Sequence, residues 1–465
     1  MSGERYVSVI GLGRVGLPLA LSFADRGLRV LGVDHDPTVL AALRAGRMPF
    51  AEADTQPLLE RVQASGRLEL SERAADATQA DDIVLTIGTP SFSHIESDLR
   101  QVRAAVDDML ALLRPGHAVI LRSTIAPGTT EFVAGYIEKR RGLRAGAELF
   151  VAHAPERIAA GRFVAEISTL PCIIGGVGDA STDRAAALFG VFGAPIVRTS
   201  PVQAELAKIW TNILRYATFA LPNLLMMDCE RYGANVFEVI ELINRDYPRG
   251  GIALPGLTAG TCLRKDFAFS EERSNAPGML LAVSRVNEAV PLFLVEGIKR
   301  RIGTLSSSKV AVLGLTFKRD TDDERDSLSH KLIRLLEREL ADVAVCDPHA
   351  PSPTQPFAQA VQDADVVIVA TNHSEFARPQ ALAEIVARAG EDCLLVDPWN
   401  ALGTAQVFVF AAEVAAIAGA AGGAGEAGAG ATGAGATGAG ATGAGGTGAG
   451  GTGAGGTGAV DAELR

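Results

Sequence analysis

From Tyr6 to about Ser200, short β-branched and aliphatic runs alternate with stretches of helical spacing. Residues 7–10, 29–33, 82–87 and 118–122 are nearly continuous apolar runs, the pattern of strands buried on both faces. Together they predict a parallel, doubly wound sheet over residues 1–200. The pattern then turns helical. Between Glu205 and Arg231, Leu206, Ile209, Trp210, Ile213, Leu214, Ala217 and Leu221 recur close to a period of 3.6, and a second such stretch runs from Leu280 to Ile298. These predict a central helical region over 201–301, placed to act as spacer and dimer surface. Near Lys309 the strand pattern returns, at residues 310–314, 343–347, 364–370 and 394–397. The expected architecture is therefore α/β, with two Rossmann-like doubly wound parallel-sheet domains (1–200 and 302–415) joined by a helical region. Residues 416–465 form a Gly-Ala-Thr repeat without side chains to bury, and are expected to be disordered.

A hydrophobic content of 48% supplies full cores, and only 5% aromatics leaves Val, Leu, Ile and Ala to fill them. The net charge of −11, without a long Lys/Arg run, argues against nucleic acid or an anionic membrane as a partner. Five widely spaced cysteines lack a C-x-x-C pair, and the seven histidines have no ligand-like spacing. Neither a disulfide framework nor a metal site is expected, and a reducing compartment is. The chain runs from Met1 straight into a strand pattern without signal-peptide features, and no apolar run reaches the roughly 20 residues of a membrane span. The expectation is a soluble, cytoplasmic protein.

Gly11-Leu12-Gly13-Arg14-Val15-Gly16 follows the first strand and opens an apolar helix that ends at Gly27. Glycines here allow a tight turn and close approach of backbone to a pyrophosphate at the helix N-terminus. Asp34 ends the second strand roughly 20 residues on, where a carboxylate binds ribose hydroxyls and repels a 2′-phosphate, so NAD is expected rather than NADP. Context carries this reading, because Gly433 to Gly438 matches the same glycine pattern inside the repeat with no strand before it.

Further motifs follow in order: Gly88-Thr89-Pro90; Ser123-Thr124-Ile125-Ala126-Pro127-Gly128-Thr129-Thr130-Glu131; Pro155-Glu156-Arg157; Glu205-Leu206-Ala207-Lys208-Ile209-Trp210-Thr211-Asn212; Pro255-Gly256 through Cys262 to Asp266; and Gly314 to Lys318 with Asp322 to Ser327. With the glycine loop, this ordered set resembles the UDP-glucose/GDP-mannose dehydrogenase family from about residue 5 to about 400. The resemblance implies an NAD-dependent enzyme that oxidises the C6 alcohol of a nucleotide sugar, a UDP-hexose or UDP-N-acetylhexosamine, to the uronate for polysaccharide biosynthesis. A homodimer through the central helices is the expectation from their layout.

Such a reaction removes two hydrides, and the intermediate aldehyde must not escape. A thiolate retains it as a thiohemiacetal, which is oxidised to a thioester and cleaved by water. Cys262 has the position of that nucleophile. Lys208 and Asn212, four apart on one helix face, would stabilise the oxyanions. Asp266 and Thr124 would hold the hydrolytic water, and Glu156 is the family's candidate for activating it. The division of labour among Asp266, Lys208 and Glu156 stays open. Gly11, Gly13, Arg14, Val15, Gly16, Asp34, Thr89, Thr124, Lys265 and Arg325 are the expected cofactor residues. Glu156, Lys208, Asn212, Gly256, Lys318 and Arg249, with Arg245 as its alternative, are the expected substrate residues.

Three positions depart from the family pattern: His153-Ala154 before Pro155-Glu156-Arg157, Leu257-Thr258-Ala259-Gly260-Thr261 before Cys262, and Trp399 where many members carry an Arg that helps hold the nucleotide. The first alternative is a two-electron β-hydroxyacid or 6-phosphogluconate-type dehydrogenase, which needs no nucleophilic cysteine. The second is a non-catalytic NAD-binding scaffold.

Overall fold

The computed structural model describes residues 5–88, 91–92, 96–97, 100–258, 260–271, 278–390 and 392–414. Thr89 and the Gly/Ala/Thr tail lie outside the described residues. The first sheet contains β1 (Tyr6–Ile10), β2 (Arg29–Val33), β3 (Leu68–Ser71) and β4 (Asp82–Leu85). A small hairpin follows, formed by β5 (Ser91–Phe92) and β6 (Glu96–Ser97). The sheet then continues with β7 (Ala118–Leu121), β8 (Phe150–His153), β9 (Cys172–Gly176) and β10 (Ile196–Thr199). Its order is β10-β9-β8-β7-β4-β1-β2-β3. Val7, Val9, Val84 and Ile120 are fully buried between helices on both faces, which is why these runs show no polar alternation.

Six of its strands, in the order β8-β7-β4-β1-β2-β3, make the expected parallel dinucleotide-binding order, whose direction reverses between β1 and β4. The fully parallel expectation is corrected at the edge, where β9 runs antiparallel to β8 and carries β10 with it. The connection between β8 and β9 holds only the one-turn helix Phe163–Glu166, not the long crossover helix that returns a chain to a parallel start.

The second sheet contains β11 (Lys309–Leu313), β12 (Asp342–Cys346), β13 (Val366–Val369), β14 (Leu394–Val396) and β15 (Phe408–Phe410), in the order β12-β11-β13-β14-β15. It is parallel except for the edge strand β15. Its crevice opens between β11 and β13.

A 32-residue helix, Pro201–Tyr232, bridges the domains. Ser200 caps it reciprocally with Gln203, Pro201 starts it, and Gly233 at φ 67° ends it. The helix Met279–Ile302 packs along it and extends one residue past the expected boundary at 301. The apolar stripe expected on the central helix divides between two faces. Ile209 and Ile213 are buried, whereas Leu206, Trp210, Leu214 and Leu221 are exposed. A sequence period registers apolar faces but not what covers them.

Candidate active site

Loops at the carboxyl ends of both sheets meet across one cleft. On the N-terminal side, Gly11 takes φ 93°, and Thr86 Oγ1 donates to the Gly11 carbonyl at 2.6 Å. A Cβ on Gly16 would stand 1.8 Å from that same carbonyl oxygen, so only glycine closes the loop onto its helix. A Cβ on Gly13 would meet nothing within 4 Å, so the loop is open above its middle glycine. Asp34 is buried at the end of β2, accepting from the Leu12 amide at 2.6 Å and the Asp36 amide at 2.9 Å. This open glycine turn, backed by a fixed carboxylate, fits a dinucleotide. Arg14 departs from the simple picture: it pairs with Asp322 (2.5 Å) and Asp323 (3.3 Å), reaching the loop after β11.

Cys262 is not in a loop, as its Pro-Gly-rich surroundings suggest, but in the first turn of the helix Thr261–Glu271. Free N–H groups at a helix N-terminus favour a thiolate. The side chain is exposed in the cleft, although protein surrounds it on most sides. That surrounding low-dielectric bulk raises the thiol pKa, as does Asp266, while Lys265, Lys208 and Arg325 lower it.

The irregular run leading to Cys262 is held by the central helices and by the C-terminal domain. The Gly256 amide donates to Asn223 Oδ1 at 2.8 Å, and Asn223 donates in turn to Asn287 at 2.9 Å. A Cβ on Gly256 would sit 2.4 Å from the Trp399 indole, and one on Gly260 (φ 99°) would sit 2.6 Å from the Phe317 ring. Trp399 itself donates its indole N–H to Ala370 O at 3.0 Å. The residue that replaces the family's arginine thus presses on the cysteine segment.

Asn212 and Asp266 are both buried, and the Asn212 amide donates to Asp266 Oδ2. Lys265 Nζ lies 3.1 Å from Asp266 Oδ1, which accepts no directed hydrogen bond. Lys208, one helical turn before Asn212, is half-buried and near enough to Cys262 and His153 to bias both titrations. Thr124 is half-buried just beyond β7. Glu205, missed as a site residue, is buried and ties the central helix to the Ser123–Glu131 motif. It accepts from the Gly128 amide (2.6 Å), the Thr130 amide (2.8 Å) and Thr130 Oγ1 (2.6 Å).

Glu156 is buried with all its acceptor capacity on one side in use. Arg122 Nη2 lies 2.5 Å from one oxygen, and the amides of Arg157 (2.7 Å) and Ile158 (2.8 Å) bond the other. Arg122 was legible only as a charged residue closing an apolar strand. Lys318 donates to Ala160 O at 2.6 Å, bridging the domains, and Arg325 forks onto Asp323 at 2.8 and 2.6 Å. Arg249 is not brought to the cluster within this chain. It is exposed, with its guanidinium 5.6 Å from the Tyr247 ring centre, and Arg245 pairs with Glu241 on the surface.

His153 is fully buried at the end of β8. Its Nδ1–H donates to Leu121 O at 2.9 Å, and Nε2 has no partner. Burial lowers its pKa from 6.5 to about 3, helped by the nearby Arg122 and Lys208 charges. Between those values the unfolded chain binds the proton and the folded chain does not. Stability is therefore lost as pH falls, by roughly 1.4 kcal/mol per unit at most. Denaturant unfolding at several pH values between about 6 and 4 is expected to give a steeper loss in the parent chain than in His153→Met. Equal slopes would contradict a buried neutral imidazole.

Two Rossmann-type domains, a helical bridge and a cysteine facing lysine, asparagine and aspartate define an NAD-dependent oxidoreductase. The chain matches three parts of one family: the NAD binding domain at residues 5–192, the central domain at 202–289 and the UDP binding domain at 311–404. It belongs to the UDP-glucose/GDP-mannose dehydrogenase family. The UDP-N-acetyl-D-mannosamine dehydrogenase of Pyrococcus horikoshii is 33% identical over 377 residues, 80% of this chain and 90% of that protein. The NDP-N-acetyl-D-galactosaminuronic acid dehydrogenase of Ralstonia nicotianae is 30% identical over 80% of this chain and 92% of its own length. The solved UDP-N-acetyl-mannosamine dehydrogenase of Staphylococcus aureus superposes with a TM-score of 0.77 at 31% identity, covering 86% of this chain and 95% of that one.

Proposed function

We propose that this enzyme oxidises the C6 alcohol of a UDP-N-acetylhexosamine to the carboxylate in two steps, with Cys262 as covalent nucleophile. The observation carrying this reading is the meeting of Cys262, at a helix N-terminus, with Lys208 and the buried Asn212–Asp266 pair. The names of the relatives at 30% identity or more favour an N-acetylhexosamine over glucose.

Gly11, Gly13, Val15 and Gly16 would hold the pyrophosphate of NAD, and Asp34 a ribose. NAD held there would supply the acceptor for the hydride from the carbon being oxidised. Lys208 and Asn212 hold the oxygen on which negative charge develops, where preorganised donors count most. The Cys262 thiolate adds to the aldehyde carbon, so the aldehyde stays on the protein as a thiohemiacetal. After the second oxidation, water held by Asp266 and Thr124 attacks the thioester carbonyl, and Cys262 leaves as the thiol. Glu156, committed to Arg122 and two amides, positions the turn at 155–158, and Asp266 Oδ1 is the better-placed acceptor for the water's proton. Lys318, reaching across the cleft, supplies a cation for the diphosphate.

The exposed Leu206, Trp210, Leu214, Leu221 and Leu224 on the central helix favour a homodimer formed along that face. Five free cysteines, one of them the nucleophile, suit the cytoplasm, and a uronate product suits surface-polysaccharide synthesis. The test is NADH stoichiometry with UDP-N-acetylmannosamine, UDP-N-acetylgalactosamine, UDP-N-acetylglucosamine and UDP-glucose. Two NADH per sugar on an N-acetylated substrate supports the reading. One NADH per sugar would return the two-electron alternative, and NAD binding without turnover on any sugar would favour the scaffold.

A further inference from the structure

Asp320, His349, His373 and Glu375 converge from the loops after β11, β12 and β13, and one donor atom from each lies within 4.8 Å of all the others. This is the carboxyl end of the second sheet, beside its switch point, where ligands of such sheets bind. We propose that Asp320, His349 and Glu375 form a site for a first-row divalent cation, best suited to zinc.

The donor spacing carries the proposal. His349 Nε2 lies 3.3 Å from Glu375 Oε2 and 3.9 Å from Asp320 Oδ1. Charge-assisted N–H···O contacts close to about 2.7–2.9 Å; the His349–Glu375 contact is a hydrogen bond longer than that, and the His349–Asp320 contact is too long to be one. Bonds of about 2.0–2.2 Å around tetrahedral zinc put neighbouring donors roughly 3.3–3.6 Å from one another, which is the spacing approached here. The remaining carboxylate oxygens face away. Asp320 Oδ2 meets Arg319 at 3.4 Å and Glu375 Oε1 meets Arg378 at 3.9 Å, so the shortest arginine contacts fall on the oxygens other than the two nearest His349.

The surroundings hold the ligands in place. Asp320 adopts φ 54°, and its Oδ1 accepts from the Ser374 amide at 2.8 Å. His373, fully buried, accepts the Asp320 N–H on Nδ1 at 2.9 Å, so its proton is on Nε2, 3.1 Å from Asp347 Oδ2. It therefore orients Asp320 and is not a ligand. Asp347 also accepts from the His349 amide at 2.7 Å. One carboxylate thus positions both histidines. Imidazole with carboxylates, and water completing the shell, matches zinc or cobalt better than magnesium or calcium.

Such an ion would lock the loop on which Lys318 precedes Asp320 by two residues and Asp322, Asp323 and Arg325 follow. That loop already touches the glycine loop through Arg14 and the N-terminal domain through Lys318. The ion would therefore firm up the cleft's substrate side from outside it.

The test is titration of chelator-stripped, tag-free full-length chain with Zn²⁺ and Co²⁺ in a Cys262→Ser background, which removes the exposed thiol as a competing ligand. The expected result is one saturable equivalent, weakened about tenfold or more by His349→Ala and by Glu375→Gln, with a raised Tm only in the chain that retains both. Absence of saturable binding up to millimolar ion, or one equivalent bound equally by His349→Ala and Glu375→Gln, would overturn the site. A second arm rests on the proposed function: in the Cys262 enzyme, removing the ion is expected to raise KM for the nucleotide sugar while kcat holds. An unchanged KM would overturn the link to the cleft but not the ion site, and the binding arm needs no turnover.

Discussion

Replacing Cys262 by alanine is expected to leave NAD binding intact and to lower uronate formation by about 10³-fold or more, the usual scale for losing a covalent nucleophile. The side chain is exposed at the start of a helix and fills no core, so the variant should fold like the parent. The informative readout is the product. Lys208, Asn212 and Asp266 remain, so any residual oxidation should stop at the aldehyde, with at most one NADH per sugar. Cys262→Ser keeps a nucleophile of poorer reactivity and should give a covalent sugar adduct that turns over slowly, visible by mass spectrometry. Full activity in Cys262→Ala, with two NADH per sugar, would remove the thiol from the mechanism.

The second large effect falls on the cofactor. A Cβ at position 16 would stand 1.8 Å from the Gly11 carbonyl oxygen and 2.3 Å from Thr86 Oγ1. The first neighbour is backbone and cannot rotate away, so the turn itself has to open. Gly16→Ala is expected to weaken NAD binding by about a hundredfold and to cost about 1–3 kcal/mol or more of stability, the range of overpacked sites. Gly13→Ala is the control: its Cβ meets no protein atom within 4 Å, so it should leave stability near the parent value and act on NAD alone. Calorimetric NAD titration and denaturant unfolding of both variants separate these outcomes. Equal NAD affinity in Gly16→Ala and the parent would contradict the loop's assignment.

Strand and helix positions were legible because burial on both faces of a parallel sheet removes polar alternation. The runs at residues 7–10, 29–33 and 310–314 accordingly become β1, β2 and β11 within a residue. The glycine loop was legible because its spacing is a local backbone requirement. The reversal of β9 was not, since strand direction depends on how the connection at 154–171 folds and not on the apolar content of Cys172–Gly176. Cys262, expected in a loop, lies in the first turn of a helix instead, because glycines ahead of a helix resemble a loop in composition.

By itself the sequence determined the alternation of elements, the nucleotide turn and the kinds of side chain available for chemistry, because each follows from contacts within about a turn of helix or a single strand. Only the tertiary structure decided which of those side chains meet. It committed Glu156 to Arg122, pressed Trp399 onto Gly256, left Arg249 outside the cluster, and gathered Asp320, His349 and Glu375 from three loops whose histidines carry no ligand spacing along the chain. The physical reason is that strand order in the two sheets, set by packing of their faces against helices, brings distant loop ends together at the switch points, and no local pattern encodes that order.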